Sequence, residues 1–207
     1  DDLVGIPTDD LVINNVESVL LHHSSNLHIL ACPGKFDQLE YITGDKVKKI
    51  LRLLLSRYQY VIMDLPHDLQ KTTLAGLDIA QEILLVMSAE LASLRAAARA
   101  LEIFDLQGYP KTKIRLVLNQ LFEKQAFSRK DIETALNTNI DLIIPFATDI
   151  FISSLDSGTP PVIGSPTSTI ASVFEDYAYI LSKEEHKNYT PDIPSEVWKK
   201  VSGRLIR

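Results

Sequence analysis

Four continuous apolar segments constrain the fold of this chain more than any other feature. They are "YQYVIMDLP" (58–66), "EILLVMS" (82–88), "KIRLVLNQ" (113–120) and "IDLIIPFA" (140–147). A strand with one wet face alternates apolar and polar residues. These segments are apolar throughout, as strands buried on both faces of a helix-covered parallel sheet are. The stretches between them have helical spacing and βαβ length. "DKVKKILRLLLSRY" (45–58) places Val47, Ile50, Leu51, Leu54 and Tyr58 on one face and its lysines and arginines on the other. Residues 69–80 read as a helix ending near Asp78. "AELASLRAAARALEIFDLQG" (89–108) reads as a helix capped by Ser88 and closed by Gly108. "SRKDIETALN" (128–137) is expected to be capped by Ser128, and "SPTSTIASVFEDYAYILS" (165–182) by Ser165 with Pro166 at its first position. The expected fold is therefore α/β: a three-layer, mostly parallel sheet flanked by helices. Upstream, Val16, Val19 and Leu20 have loose helical spacing, and "NLHILACPG" (26–34) reads as a short strand ended by Pro33-Gly34.

A length of 207 residues suits one domain or two small ones. The net charge of −6 argues against a general nucleic-acid binder, which needs a basic patch. The single Cys32 excludes an internal disulfide and fits a reducing cytosol. The first residue is Asp1, not Met, and the expectation is a piece of a longer protein.

The chemistry centres on Asp64, where an apolar segment runs into an acid and then into Leu65-Pro66. A nucleotide–magnesium site needs such an acid on its far wall. Taken alone, the residue is equally a cap for the following turn. The partner motif would be a Gly-rich loop followed by lysine and Ser or Thr. Gly34-Lys35 is followed by Phe36, and "GTPPVIG" (158–164) has two prolines and no lysine, so neither is a phosphate loop. No G-x-S-x-G elbow is present. His22, His23, His28 and Cys32 match no zinc spacing, and His67 reads as an exposed loop residue. Asn119 stands at the carboxyl end of one strand, with Pro145 and Phe146 at the end of the next. Ligands bind at such ends in open α/β sheets, so Asp64, Asn119 and Pro145 are expected to converge.

In this order, the motifs resemble a family. "YQYVIMDLPHDLQKTTLAGLDIAQEILLVMSAELASLRAAARALEIF", "GYPKTKIRLVLNQ", "FSRKDIETAL", "LIIPFA" and "LDSGTPPVIGSPTSTIASVFEDYAYIL" are similar to the MinD/ParA-type P-loop ATPases. They look most like the CpaE/TadZ branch, which places Tad (Flp) type pili. The resemblance covers roughly residues 15–182. It implies that Asp64 is the Walker B acid, acting in catalysis and holding Mg through water. It implies that Asn119 seats adenine and that Pro145 and Phe146 form the other side of the adenine pocket. ATP and Mg are the implied cofactors. An ATP-dependent dimer of the chain with itself is implied, as is binding to pilus-assembly proteins. The implied location is cytoplasmic, with the inner membrane or cell pole as a peripheral station.

The family's first strand and its lysine loop are missing from these residues. The chain is thus expected to be a fragment of a full ATPase, inactive and largely monomeric by itself. The competing readings are a non-enzymatic scaffold for pilus-assembly proteins and a ParA-like partitioning protein. Residues 1–182 are expected to form the partial ATPase domain and 183–194 a linker. Residues 195–207 are expected to form a basic amphipathic tail, with Val197, Trp198, Val201 and Leu205 on one face and Lys199, Lys200, Arg204 and Arg207 outnumbering Glu196. Such a tail suits an anionic membrane surface or packing on the domain.

Overall fold

The computed structural model describes residues 3–33 and 36–205. Gly34, Lys35 and Arg207, named above, lie outside the described residues. The chain divides into two compact units, Asp1–Gln81 and Glu82–Arg207.

The first unit is helical with a small hairpin. Helix α1 (Ile13–Glu17) precedes strands β1 (Leu21–His22) and β2 (His28–Ile29), which pair antiparallel. The strand expected over 26–34 is therefore only the short return arm of a turn. Helix α2 (Gly44–Leu55) is capped by Thr43, whose hydroxyl accepts the Lys46 N–H at 3.2 Å. Helix α3 (Lys71–Ile79) packs on it. Gly44 permits the close approach: a Cβ there would sit 3.1 Å from the Lys71 carbonyl oxygen. Lys48 and Asp78 bridge the two helices at 2.7 Å, and Leu11, Val16, Leu20, Leu51, Leu54, Ala75 and Leu77 are buried.

One lysine departs from its expected solvent face. Lys46 is buried, and its ammonium donates to the carbonyls of Leu3 (3.0 Å) and Val4 (2.7 Å). Burial lowers its pKa from the ordinary lysine value.

The second unit is the three-layer α/β body. Strands β3 (Ile83–Met87), β4 (Ile114–Asn119) and β5 (Ile140–Ile144) form a parallel sheet in the order β3-β4-β5. Helices α4 (Leu91–Leu106) and α5 (Arg129–Leu136) cover one face through Met87, Leu116, Leu118, Ile140, Ala97 and Ile132. On the other face, Val117 and Ile144 pack with Ile170 and Tyr177 of helix α8 (Thr169–Leu181). Ile150 and Phe151 of helix α6 (Thr148–Ser157) join them.

Several local expectations change. Ser88 does not cap α4. Its N–H donates to Ser93 Oγ at 2.9 Å and its hydroxyl to Glu90 at 3.1 Å, and the cap position is Glu90. The helix expected from Ser165 begins at Thr169: Ser165 is instead the C-cap of the short helix α7 (Pro161–Gly164), and its carbonyl accepts the Ser168 N–H (3.0 Å) and hydroxyl (2.7 Å) in an intervening turn. Ser168 then caps α8, accepting the Ala171 N–H at 3.1 Å. Ser128 caps α5 as expected, in a reciprocal box with Asp131. Within the expected linker, Glu184–Lys187 form helix α9.

The tail forms helix α10 (Glu196–Leu205), and it packs on α8. Val201 is buried, and Arg204 holds Glu175 at 2.9 Å and Asp176 at 2.6 Å. Among the described residues no helix is long and apolar enough to cross a membrane.

Candidate functional site

The carboxyl ends of β4 and β5 meet. Asn119 is the register partner of Ile144, and the Gln120 N–H donates to the Ile144 carbonyl at 2.9 Å. Pro145 and Phe146 follow directly. The structure thus places Asn119 at the end of β4 and Pro145 and Phe146 just past the end of the neighbouring β5. Asn119 and Pro145 are half-buried, whereas Phe146 is 42% exposed. A flat apolar ring with an amide beside it is a surface on which a planar heterocycle can stack and hydrogen-bond. Ser88 ends β3 at the same level, because Met87 pairs with Leu118.

The loop after Asn119 adds residues that sequence reading did not single out. Leu121, Phe122 and Phe127 are exposed, and the Gln125 side-chain amide donates to the Phe122 carbonyl. The available signal was the apolar pair Leu121-Phe122, two residues after a strand-end Asn.

Asp64 belongs to the other unit. The stretch 60–66 is not a strand, which corrects the expectation. It nevertheless keeps a strand's alternation: Val61, Met63 and Leu65 are half-buried, while Ile62, Asp64 and Pro66 are exposed. The inward side chains lie on α3, where Gly76 leaves room for Met63 and Leu65; a Cβ there would stand 3.2 Å from Met63 Sδ. Among the described residues no strand pairs with this segment, so its period-two pattern lacks a ladder. At its end, the Asp64 carboxylate is exposed and makes no ion pair or hydrogen bond among the described residues. The turn that follows is organised by Asp68, which accepts the Gln70 N–H (3.1 Å) and the Thr73 hydroxyl (3.0 Å). Asp64 is therefore not the residue that caps this turn. An exposed carboxylate can hold a hydrated divalent cation only with further ligands. Among the described residues no group of three or more His, Cys, Asp or Glu gathers to supply them.

In the second unit, the outer edge of β3 has no strand partner among the described residues, and on its face Leu84 and Val86 are 43% and 59% exposed. An unpaired edge is a template for another strand.

The fold recurs in known structures. A ParA family ATPase from Chlorobium tepidum TLS superposes with a TM-score of 0.77 at 24% identity, over 86% of this chain and 74% of that one. MinD from Pyrococcus horikoshii OT3, solved with Mg-ADP, superposes with a TM-score of 0.71 at 17% identity, over 91% and 80%. The fold is that of the MinD/ParA-type ATPases. In sequence, the chain is 24% identical over 169 residues to the septum site-determining protein MinD of Thermotoga maritima. That match takes in 78% of this chain and 61% of the relative, so the chain spans about three-fifths of that protein's length. No protein-family model matches the chain.

Proposed function

We propose that this chain supplies the adenine-side and metal-side parts of a nucleotide-switched positioning ATPase of the CpaE/TadZ kind, serving Tad-type pilus assembly. The observation that carries the nucleotide reading is the pairing of Asn119 with Ile144, which sets an amide beside Pro145 and Phe146 at one strand end. In this reading Asn119 hydrogen-bonds the adenine edge and Pro145 and Phe146 cover its face. Asp64 holds the water shell of Mg. ATP then joins two subunits, and hydrolysis releases them to pilus-assembly proteins at the inner membrane or pole.

Phosphates are held by backbone N–H groups, a lysine and the metal, and these supply most of the binding energy. The sequence contains no Gly-rich loop motif followed by lysine and Ser or Thr. The reading therefore requires such a loop from outside these residues, and the β3 edge, unpaired among the described residues, supports a strand arriving there. The CpaE/TadZ assignment rests on the motif order alone.

One experiment tests the reading. This chain should bind Mg-ATP no more tightly than about 1 mM, roughly −4 kcal/mol, in calorimetric titration. A longer product of the same gene carrying the lysine loop should hydrolyse ATP, lose that activity in Asp64→Ala, and restore pili to a strain lacking the gene. A longer product without a lysine loop would favour the scaffold, and hydrolysis unchanged in Asp64→Ala would overturn the role given to Asp64.

A further inference from the structure

The β1–β2 hairpin brings together two histidines that are six positions apart in sequence. His22 and His28 are direct register partners across the strands. The next pair along, His23 and Leu27, is joined by the His23 N–H to the Leu27 carbonyl at 2.8 Å. Hydrogen-bonded and non-hydrogen-bonded pairs alternate along an antiparallel ladder, so 22 and 28 are the closer, non-hydrogen-bonded kind. Their side chains lie on one face of the hairpin, with ring centroids 4.3 Å apart at 70°. Two imidazoles that close can share one ion.

The second ring is already oriented. His28 Nδ1 is 2.7 Å from the Tyr58 hydroxyl, and the two rings meet edge-on at 5.4 Å. When Nδ1–H donates to the phenol oxygen, the lone pair of His28 is on Nε2, facing away from Tyr58. Metal-bound histidines characteristically have their other nitrogen tied to such an acceptor. Tyr58 is half-buried just beyond α2, so the acceptor is anchored on the helical part of the unit. The His22 ring is in no hydrogen bond among the described residues. His23 is differently used: its Nδ1 holds the Ser25 hydroxyl (2.8 Å) and accepts the Ser25 N–H (3.2 Å) within the turn.

We propose that His22 and His28 form a two-imidazole site for a borderline divalent transition-metal ion, with Tyr58 as its positioning residue. Imidazole suits Cu(II), Ni(II) and Zn(II), and Cu(II) leads that series in affinity. Both histidines are exposed, so water completes the coordination. Among the described residues three or more His, Cys, Asp or Glu do not gather here, which makes the site open and exchangeable instead of a closed structural centre. The ion would clip the hairpin arms and hold them against Tyr58. The zinc spacings searched for in sequence miss such a site, because its two ligands become neighbours only through antiparallel register.

The test is titration of the untagged chain with Cu(II), and separately with Zn(II), followed by calorimetry and by the electron paramagnetic resonance of bound copper. Expected are one ion per chain, a spectrum with two imidazole nitrogens, and binding weakened at least about tenfold by either His22→Ala or His28→Ala. His23→Ala should bind as the parent does. Tyr58→Phe should weaken binding about tenfold by freeing the His28 ring. Circular dichroism of each variant confirms that the fold is kept, and His22→Ala removes only an exposed side chain. Absence of saturable binding up to about 1 mM, or binding that survives the double substitution His22→Ala, His28→Ala, would overturn the site. Unchanged affinity in Tyr58→Phe would overturn the positioning role.

Discussion

The Asp141 carboxylate accepts the backbone N–H of Leu116 at 2.9 Å. This bond sits where the β4–β5 register slips: Leu116 pairs with Ile140 and Val117 with Leu142, so Asp141 is the bulged residue. A side-chain oxygen thereby stands in for a missing ladder carbonyl. The same carboxylate takes Arg115 at 3.2 Å, and Arg115 also holds Glu82 at 3.0 Å, joining all three strands at their amino ends. Both carboxylates raise the Arg115 pKa, Glu82 first. Asp141→Ala leaves a buried N–H without its acceptor and should lower unfolding stability by about 1–3 kcal/mol. Asp141→Asn keeps an acceptor oxygen and should cost less. Urea denaturation of both variants measures the difference.

Tyr177 lies under this end of the sheet with its hydroxyl buried and unpartnered among the described residues. Burial, then the nearby Asp141 charge, raises its pKa. Its ring packs with Val117, Ile144 and Ile170. Tyr177→Phe keeps that packing and removes the unsatisfied oxygen. The variant should be about 1 kcal/mol more stable than the parent, and thermal unfolding checks this. A destabilised variant would mean that the hydroxyl has a partner.

Glu133 ties α5 to β5 by accepting the Ile140 N–H at 2.9 Å and the Arg129 guanidinium at 2.8 Å. These two bonds, the backbone one foremost, lower its pKa, and the Ser128 hydroxyl and N–H do the same for Asp131. A carboxylate depressed on folding gives stability that is fully present above its unfolded pKa. That stability is lost as pH falls through the folded pKa, because the unfolded chain binds more protons there. Acid unfolding curves should therefore be shallower in Glu133→Gln than in the parent, while the two should run parallel at neutral pH. Equal slopes on the acid limb would remove the linkage.

Arg204 is the clamp between α10 and α8. Its partner Glu175 has a side chain only 4% exposed, and one of its two oxygens has no hydrogen-bond partner. Removing the guanidinium strands that carboxylate. Because the guanidinium is itself partly exposed, Arg204→Ala should cost about 1–3 kcal/mol, the range for stranding a buried acceptor, and Arg204→Met with Glu175→Gln should recover much of it. Limited proteolysis after Ser182 gives a second readout, since a released α10 is cut sooner.

The resemblance to MinD proteins leaves the role of the tail open. We propose that its basic face also meets anionic membrane, in exchange for α8. Co-sedimentation with anionic vesicles should then rise in Arg204→Ala and fall when residues 195–207 are deleted. Equal pelleting of all forms would remove the proposal.

The sequence by itself determined the parallel sheet and its order of helices. An apolar run such as 116–118 is buried on both faces, and that local pattern needs no knowledge of neighbours, whereas in 83–87 Leu84 and Val86 stay exposed. It also placed Asn119 and Pro145 at strand ends, since Gln120 and Pro145 are where the apolar runs stop. Capping was legible where the signal is short-range, as in the Ser128–Asp131 box. It failed at Ser88 and Ser165, where several hydroxyls compete and packing selects among them.

What only the tertiary structure decided depends on partners distant in the chain. Residues 60–64 have a strand's composition, yet a strand is a pairing, and no ladder forms there among the described residues. Lys46 reads as a surface lysine until the carbonyls of Leu3 and Val4 close over it. Val201 and Arg204 read as an amphipathic tail until α8 presents a groove and two carboxylates. His22 and His28 become neighbours only because the hairpin register sets them opposite each other. Periodicity reports which face of an element is apolar; which surface meets that face is fixed by chain reversal and packing, and these act between residues that the local pattern cannot connect.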